Sequence, residues 1–364
     1  MAEPLLEVEN LRTHFDTEDG RVQAVDGISF SVEHGEIFGV VGESGSGKSV
    51  TARSIMQLIE SPPGVINADA IRFKGEDLLE KSPPEIREIR GGEISMIFQD
   101  PMTSLNPVMT VGEQIAEVAR HHLDTSESSG FWSEMKRKYV TGASHESESW
   151  RRAIELMDMV GLPDPEQRAH EYPHQLSGGM RQRVMIAQAL AGDPSLIVAD
   201  EPTTALDVSV EAQILHELLE LRDEFDVSVV LITHDLGVIH ETCDRLAVMY
   251  AGELMEKGKT GDVFEDPKHP YTQALMKSIP QITDDREWLD VIPGSVPDLV
   301  DKPAGCPFRE RCEYAFEGCT EPLVEYDVGE KHTAACHLHS DEVNKELTDR
   351  PAAPESHEGP SEQV

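Results

Sequence analysis

The segment GESGSGKS, residues 42–49, restricts the possible folds of this chain more than any other stretch. The apolar run GEIFGVVG precedes it and is predicted as a strand, while KSVTARSIMQLI (48–59) follows with a helical pattern. A glycine-rich turn between a strand and a helix lets backbone N–H groups surround phosphate oxygens. Lys48 then supplies a positive charge to the β- and γ-phosphates, and the Ser49 hydroxyl ligates Mg²⁺. The sequence therefore predicts an α/β fold with a nucleotide site.

The second motif is LIVADE (196–201), an apolar run that ends in two acids. A strand of this kind places Asp200 where it can hold the Mg²⁺ shell and Glu201 where it can orient and activate a water. Alone the pattern is weak, because acids often end strands. Together with the loop at 42–49 it indicates nucleotide hydrolysis.

The other patterns predict further strands and helices with two polar regions. LLEVENLRTHF and RVQAVDGISFSV flank DTEDG, whose Asp-Gly pair suits a hairpin turn. SLIVAD and VSVVLITHD are short β-branched runs separated by the helical pattern VEAQILHELLELRDEF, which indicates parallel strands with a crossover helix. We expect an acidic, Ser-rich surface insertion at about 123–150 and a disordered tail at 341–364.

The charge balance is strongly acidic. The 364 residues include 69 Asp and Glu against 31 Lys and Arg, a formal net charge of −38. Such self-repulsion destabilises a compact chain unless concentrated salt screens it, so we interpret it as a halophile's adaptation to molar internal salt. A single acidic interaction tail is the alternative, but the excess is spread along the chain. The negative charge also argues against nucleic acid as a partner.

Neither a secretory signal nor a membrane-spanning helix is expected. The start, MAEPLLEVENLR, has no basic region followed by an apolar one. No apolar run approaches the ~20 residues that a spanning helix needs. We therefore expect a soluble chain that is cytosolic or held at a membrane by partners.

A second glycine-rich turn, LSGGM (176–180), lies shortly before LIVADE. It precedes the helical pattern RQRVMIAQAL, so Ser177, Gly178 and Gly179 form another candidate anion site at a helix start. Together the three motifs resemble those of the ATPase subunits of ABC transporters, whose signature motif is usually written LSGGQ. Met180 departs from the usual Gln, and we expect little functional loss because the anion contacts come from the other residues.

This resemblance implies a fold and a reason for two anion sites. It implies an ABC-type P-loop ATPase with a RecA-like core, an antiparallel β subdomain and a helical subdomain at about 102–185. Two subunits stack head to tail, so the signature turn of one closes on the γ-phosphate of an ATP held by the other's first loop. Asp207, in TALD, then lies across the dimer seam.

Further site residues follow from the resemblance one by one. Gln99 in MIFQDP matches a residue that senses the γ-phosphate and metal and contacts the membrane subunits, and His234 in LITHD matches the switch histidine. Phe15 is the candidate for stacking on adenine, with an ordinary strand aromatic as the alternative. The catalytic set is Glu201, His234 and Gln99, and the Mg²⁺ set is Ser49, Gln99 and Asp200. The ATP contacts are Phe15, Gly42, Ser44, Gly45, Ser46, Gly47, Lys48, Ser49 and Val50.

The region after about 265 carries a narrower resemblance. PKHPYTQALMKSIP and IPGSVPDLVDKPAGCPFRERC resemble the C-terminal extension of the oligopeptide, dipeptide and nickel importer branch. The resemblance implies an ATPase domain at 1–265 and an extension at 266–340, here in a chain we ascribe to a halophilic archaeon. It also implies a second, different ATPase subunit, two membrane permeases and, indirectly, an extracellular solute-binding protein. The chain would then sit peripherally at the cytoplasmic membrane face, with peptides, nickel or oligosaccharides as cargo.

Four cysteines are clustered in this extension. Cys306, Cys312, Cys319 and Cys336 have the spacing C-x5-C-x6-C-x16-C, and four thiolate donors so close together suggest a metal. Short zinc sites usually show C-x2-4-C pairs, which are missing here, so an iron–sulfur cluster gains weight against zinc and against unligated thiols. Some dipeptide-importer ATPases that this chain resembles carry a [4Fe–4S] cluster there. Cys243 is expected in the core.

Two hypotheses from other classes are weaker. A soluble ABC ATPase acting on DNA or ribosomes lacks support, because the chain has one cassette, no long coiled-coil insertion and no basic groove. An iron–sulfur redox regulator with secondary ATP binding does not explain the complete hydrolytic motif set.

Overall fold

The computed structural model describes most of the chain. It covers residues 3–122, 148–202, 224–278, 292–300 and 302–340, together with Glu211, Leu215, Leu219, Glu220, Arg222 and Val343. Asp207, most of the expected insertion, most of the expected crossover helix and nearly all of the expected tail lie outside the described residues.

The described strands and helices are numbered in chain order. The strands are β1 (Leu6–Thr17), β2 (Gly20–Val32), β3 (Ile37–Val41), β4 (Gly64–Asn67), β5 (Ala70–Phe73), β6 (Glu76–Asp77), β7 (Ile94–Ile97), β8 (Leu196–Asp200), β9 (Ser228–Thr233), β10 (Arg245–Tyr250), β11 (Glu253–Lys259), β12 (Tyr326–Gly329) and β13 (His332–Ala334). The helices are α1 (Lys48–Ile55), α2 (Pro83–Gly92), α3 (Pro101–Ser104), α4 (Val111–His122), α5 (Glu148–Met159), α6 (Pro165–Arg168), α7 (Gly178–Leu190), α8 (Leu236–Thr242), α9 (Thr260–Glu265) and α10 (Pro270–Lys277).

The N-terminal sheet is antiparallel, with strand order β2-β1-β5-β6 and β4 also paired to β1. The predicted hairpin of β1 and β2 is confirmed, and its register pairs Thr17 with Gly20. The turn therefore falls at residues 18 and 19, one residue before the expected Asp-Gly pair. Gly20 instead begins β2, with a φ of 133° that favours glycine.

The larger sheet forms the core, in the order β12-β13-β11-β10-β3-β9-β8-β7. The five strands from β10 to β7 run parallel to their neighbours, so the prediction of parallel strands for SLIVAD and VSVVLITHD is confirmed. Every residue of β3, β8 and β9 is buried, as expected for parallel strands covered on both faces. The carboxyl ends of β3, β9, β8 and β7 consequently share one edge of the sheet.

Helices α4, α5 and α7 pack together beside this sheet through one apolar cluster. Trp150, at 6% exposure, belongs to that cluster and lies in the first turn of α5. The expected surface insertion therefore extends too far at its end, because residues 148–150 are helical and Trp150 is anchored in the core. Likewise α1 ends at Ile55 rather than at residue 59, since Gln57 has a left-handed φ of 50°.

The C-terminal segment, defined as residues 292–340, is attached to both sheets. Its β12–β13 hairpin extends the core sheet through pairing of β13 with β11, where His332 Nε2 lies 2.7 Å from Glu256 Oε1. The Lys302 amine forms ion pairs with Asp26 on β2 and with Glu253 on β11. These two strands are neighbours but belong to different sheets. These contacts give the segment a fixed position against the two sheets.

Two further observations concern Cys243 and membrane-spanning helices. Cys243 is buried, as predicted, and burial raises the pKa of its thiol to about 12. None of the helices in the described part of the chain is long and apolar enough to cross a bilayer.

Candidate functional site

The loop between β3 and α1 is shaped by close backbone contacts. A Cβ atom at Gly42 would stand 2.0 Å from the Met249 carbonyl oxygen, and one at Gly47 would stand 2.3 Å from that of Ala24. Gly47 also has a φ of 103°. Only glycine fits at these two positions, so the loop is held against β2 and β10 with its N–H groups at the start of α1. We call residues 42–49 the phosphate-binding loop.

Lys48 is buried in this loop. Its amine donates to the carbonyl oxygens of Gly42 at 2.8 Å and Glu43 at 2.9 Å, which holds it across the loop. Burial lowers the pKa of the amine, and the carboxylates of Glu201 and Asp200 oppose that shift. A desolvated cation fixed in this way interacts strongly with a phosphate that enters the loop.

Asp200 ends β8 and is completely buried. Its Oδ1 accepts a hydrogen bond from the Ser49 hydroxyl at 2.8 Å, whereas its Oδ2 is buried and has no hydrogen-bond partner among the described residues. Burial raises the pKa of Asp200, and the Ser49 hydrogen bond opposes that effect. A carboxylate oxygen left open beside a hydroxyl is a hard oxygen donor set, so these residues fit Mg²⁺.

Glu201 follows Asp200 and is contacted from two neighbouring strands. Gln99 Nε2, just beyond β7, donates to Glu201 Oε2 at 2.7 Å. His234 Nδ1, just beyond β9, lies 3.4 Å from Glu201 Oε1. The Glu201 side chain is 14% exposed and that of His234 is 63% exposed, so the pair opens toward solvent. Glu201 also adopts a left-handed φ of 48°, a strained backbone of the kind found at functional sites.

The signature turn begins α7. Ser177 is the N-cap, and its Oγ accepts a hydrogen bond from the Met180 N–H at 3.3 Å. Gly178 and Gly179 are the first two helical residues, where N–H groups have no intrahelical acceptor. Phe15 lies in the N-terminal sheet, paired with Val22 and Gly64.

The four clustered cysteines line one small cavity. They share it with His269 and His337, whose Nε2 atoms are buried and find no hydrogen-bond partner in the described part of the chain. Burial raises the pKa of Cys306 to about 12 and of Cys336 to about 11. Across the described residues, no group of three or more His, Cys, Asp or Glu side chains is arranged to hold a metal ion. The four thiols supply the soft donors that iron and zinc bind, although the side chains do not converge on a single metal position.

Sequence reasoning missed the contacts that reach the phosphate-binding loop from downstream. The hydroxyl of Tyr271, in α10, accepts a hydrogen bond from the Glu43 N–H at 3.0 Å. The guanidinium of Arg311, in the C-terminal segment, bonds both carboxylate oxygens of Glu43. Separations of more than 200 residues leave no pattern in the sequence that pairs these side chains.

The fold and the site define a class of protein. A phosphate-binding loop, a buried acid beside its serine, and a carboxylate held by a glutamine and a histidine are the parts of a Mg²⁺-dependent nucleotide hydrolase. The family described as ABC transporter matches residues 25–204, and the family described as the C-terminal region of oligopeptide/dipeptide transporters matches residues 255–319.

Individual proteins agree with this class. The chain is 48% identical over 314 residues to the oligopeptide transport ATP-binding protein OppD of Bacillus subtilis, covering 86% of this chain and 82% of that protein. It is 45% identical over 343 residues to the dipeptide transport ATP-binding protein DppD of Escherichia coli, covering 94% and 98%. The chain therefore belongs to the ATP-binding subunits of ABC transporters of the oligopeptide/dipeptide type, and it is an ATPase.

Solved structures give the same fold. A dimeric, post-hydrolysis ATP-binding cassette bound to ADP and Pi superposes with a TM-score of 0.56 and 29% identity, covering 70% of this chain and 98% of the other.

Replacing Asp200 by Asn should stabilise the chain in the absence of nucleotide. The substitution removes a buried charge with an open oxygen and keeps an acceptor for Ser49. We expect the thermal unfolding midpoint to rise by about 2–4 °C, the shift that 1 kcal/mol produces in a domain of 150–250 residues. The exposed Asp19, changed to Asn, is the control and should shift the midpoint little. An unchanged or lower midpoint for the Asp200 variant would contradict the conclusion that the buried Asp200 carboxylate destabilises the nucleotide-free chain.

Proposed function

We propose that this chain powers the import of di- or oligopeptides through a membrane ABC transporter by binding and hydrolysing ATP. The observation that carries the proposal is the convergence of Ser49, Asp200, Gln99, Glu201 and His234 at one edge of the core sheet. The match of the C-terminal region to oligopeptide/dipeptide transporters supports the cargo class. The relatives OppD and DppD are named for oligopeptide and dipeptide transport, which supports the same class.

We assign roles to these side chains. Ser49, Asp200 and Gln99 would hold Mg²⁺, which when bound neutralises charge on the phosphates. Glu201 accepts the proton of the attacking water through a carboxylate oxygen, and the Gln99 hydrogen bond orients that carboxylate. His234 is placed beside Glu201 to contact the γ-phosphate. Lys48 and the N–H groups of the phosphate-binding loop stabilise the charge that develops on the phosphate oxygens.

Remaining positions are assigned in the same proposal. Phe15 stacks on adenine, and the loop contacts are Gly42, Ser44, Gly45, Ser46, Gly47 and Val50. We place the ATPase domain at 1–265, the importer-type extension at 266–340 and a tail at 341–364.

A second ATPase subunit completes the active site. Gly178, Gly179 and the hydroxyl of Ser177 donate to the γ-phosphate held by the partner, and Asp207 lies at the seam. The Ser177 oxygen accepts from Met180 N–H, and a hydroxyl that accepts one hydrogen bond can still donate its own proton. We propose a heterodimer beneath two permease subunits at the cytoplasmic membrane face, fed by an extracellular solute-binding protein and without nucleic acid as a partner.

Transport assays in high-salt medium test the proposal. A strain that lacks this chain should lose uptake of a labelled dipeptide, and the wild-type chain should restore it. The Glu201→Gln variant should not restore uptake, because turnover falls by at least about 100-fold while ATP binding and the ATP-bound dimer persist. The matched control is Glu265→Gln, an exposed acid in α9, which should restore uptake.

Each outcome of these assays tests a different part of the proposal. Intact dipeptide uptake with lost oligosaccharide or nickel uptake would overturn the cargo and retain the motor. Near-normal turnover by the Glu201 variant would remove Glu201 from the role of base. Recovery of the chain with nucleic acid and never with membrane protein would overturn the transport role.

We also propose that the cysteine cavity holds a [4Fe–4S] cluster, with zinc as the alternative, in a structural role. The four thiols that line one cavity and the two unpartnered histidine nitrogens beside them support it. Such a group would staple a segment that has little apolar core of its own.

Metal analysis of the anaerobically purified chain tests this assignment. We expect about four iron atoms per chain and a visible charge-transfer band, both lost in Cys306→Ser and retained in Cys243→Ala. Stoichiometric zinc without colour would select the alternative metal, and a chain free of both metals would overturn the proposal.

The acidic composition supports a further proposal, that the chain is adapted to molar salt in a halophile. Its formal charge of −38 should make folding salt-dependent. The thermal unfolding midpoint is expected to rise between 0.1 and 1 M KCl, since the Debye length shrinks from about 10 Å to about 3 Å over that range. Sucrose at equal osmolality separates this effect from general solute exclusion. A midpoint that is flat or falls with KCl would contradict the proposal.

A further inference from the structure

Arg311 is buried between the C-terminal segment and the phosphate-binding loop, with its side chain 7% exposed. Its Nη1 donates to Glu43 Oε2 at 2.9 Å and to the Tyr250 hydroxyl at 3.1 Å. Its Nη2 donates to Glu43 Oε1 and to the Ile292 carbonyl, both at 3.1 Å. Its Nε donates to the Pro293 carbonyl at 2.9 Å. Five contacts match the five N–H donors of a guanidinium, an arrangement that lysine cannot reproduce.

Glu43 connects Arg311 to the rest of the phosphate-binding loop through hydrogen bonds. Its carboxylate is held from both oxygens, and its N–H donates to the hydroxyl of the buried Tyr271. Its carbonyl oxygen accepts from the Lys48 amine at 2.9 Å and from the Ser46 N–H at 3.2 Å. One residue therefore connects the C-terminal segment to the cation that meets the phosphates.

The Arg311–Glu43 pair also changes the charge of the phosphate-binding loop. Glu43 is an acid inside a loop that binds a polyanion, and without a counter-charge it would repel the triphosphate. The bidentate pair with Arg311 neutralises it, although the Glu43 side chain keeps 25% of its surface exposed. Two stacking contacts, with the guanidinium carbon 5.7 Å from the Tyr250 ring centre and 5.8 Å from that of Phe308, fix the guanidinium plane further.

We propose that Arg311 is a positioning residue for ATP binding. By holding and neutralising Glu43 it sets the conformation and the electrostatic potential of the phosphate-binding loop. The C-terminal segment thus contributes to nucleotide affinity in the same chain, in addition to its place in the fold. This inference rests on the assignment of residues 42–49 to ATP.

The test measures ATP–Mg²⁺ binding by calorimetry and steady-state ATPase kinetics on the full chain. Arg311→Gln should raise the Kd for ATP and the KM about tenfold, with kcat changed less than about threefold, because one charged hydrogen-bond pair is lost without contact to the reacting atoms. The double variant Arg311→Gln/Glu43→Gln should recover most of the affinity, since it removes the uncompensated carboxylate. Arg309→Gln is the control, because that side chain bonds the Ala304 carbonyl and not Glu43.

Defined outcomes overturn the inference. A folded Arg311→Gln chain with wild-type Kd would do so, as would a double variant that binds no better than the single one. Should Arg311→Gln fail to fold, Arg311→Lys replaces it: the charge remains but the fork is lost, and wild-type affinity would overturn the positioning role. Absence of ATP binding by the wild-type chain would instead contradict the assignment of the loop.

Discussion

The parallel pairing of β3, β9, β8 and β7 brings the residues of the candidate site together. Backbone hydrogen bonds set the relative heights of these strands, so their carboxyl ends form one edge. The phosphate-binding loop leaves β3, Asp200 ends β8, and Gln99 and His234 follow β7 and β9. A shift of register by one residue would turn each of these side chains to the other face of the sheet and dismantle the site.

The site is costly for the nucleotide-free chain to maintain. Asp200 is a buried acid with an open oxygen, Lys48 is a buried cation, and Glu201 has a strained backbone. The fully buried strands beneath offset these costs through apolar packing. Bound nucleotide and metal would compensate the buried charges of Lys48 and Asp200. The features that destabilise the nucleotide-free chain therefore favour the nucleotide-bound form.

The C-terminal segment belongs to the architecture of the ATP site. Its hairpin lengthens the core sheet, Lys302 ties it to Asp26 and Glu253, and Arg311 reaches the phosphate-binding loop. The cysteine cavity lies in the same segment, and Cys312 directly follows Arg311 in the chain. Buried polar contacts hold the segment in one orientation, because charged hydrogen bonds such as those of Arg311 require a specific geometry.

The fold class, the family and the local motifs could be predicted from the amino-acid sequence, because they depend on short-range chemistry. A glycine-rich turn between a strand and a helix, an apolar run ending in Asp200 and Glu201, and Ser177 at a helix start are each legible within a few residues. The exact ends of helices and strands were harder to predict. Helix α1 ends before the end of the helical sequence pattern, because the backbone at Gln57 is left-handed.

Only the tertiary structure decided which distant side chains meet. The pairing of Arg311 with Glu43 and of His332 with Glu256 joins residues separated by 268 and 76 positions. The cysteine spacing predicted proximity, and the fold added His269 and His337 to the same cavity. Such contacts follow from how strands stack and segments cross the sheet, and no local propensity encodes them.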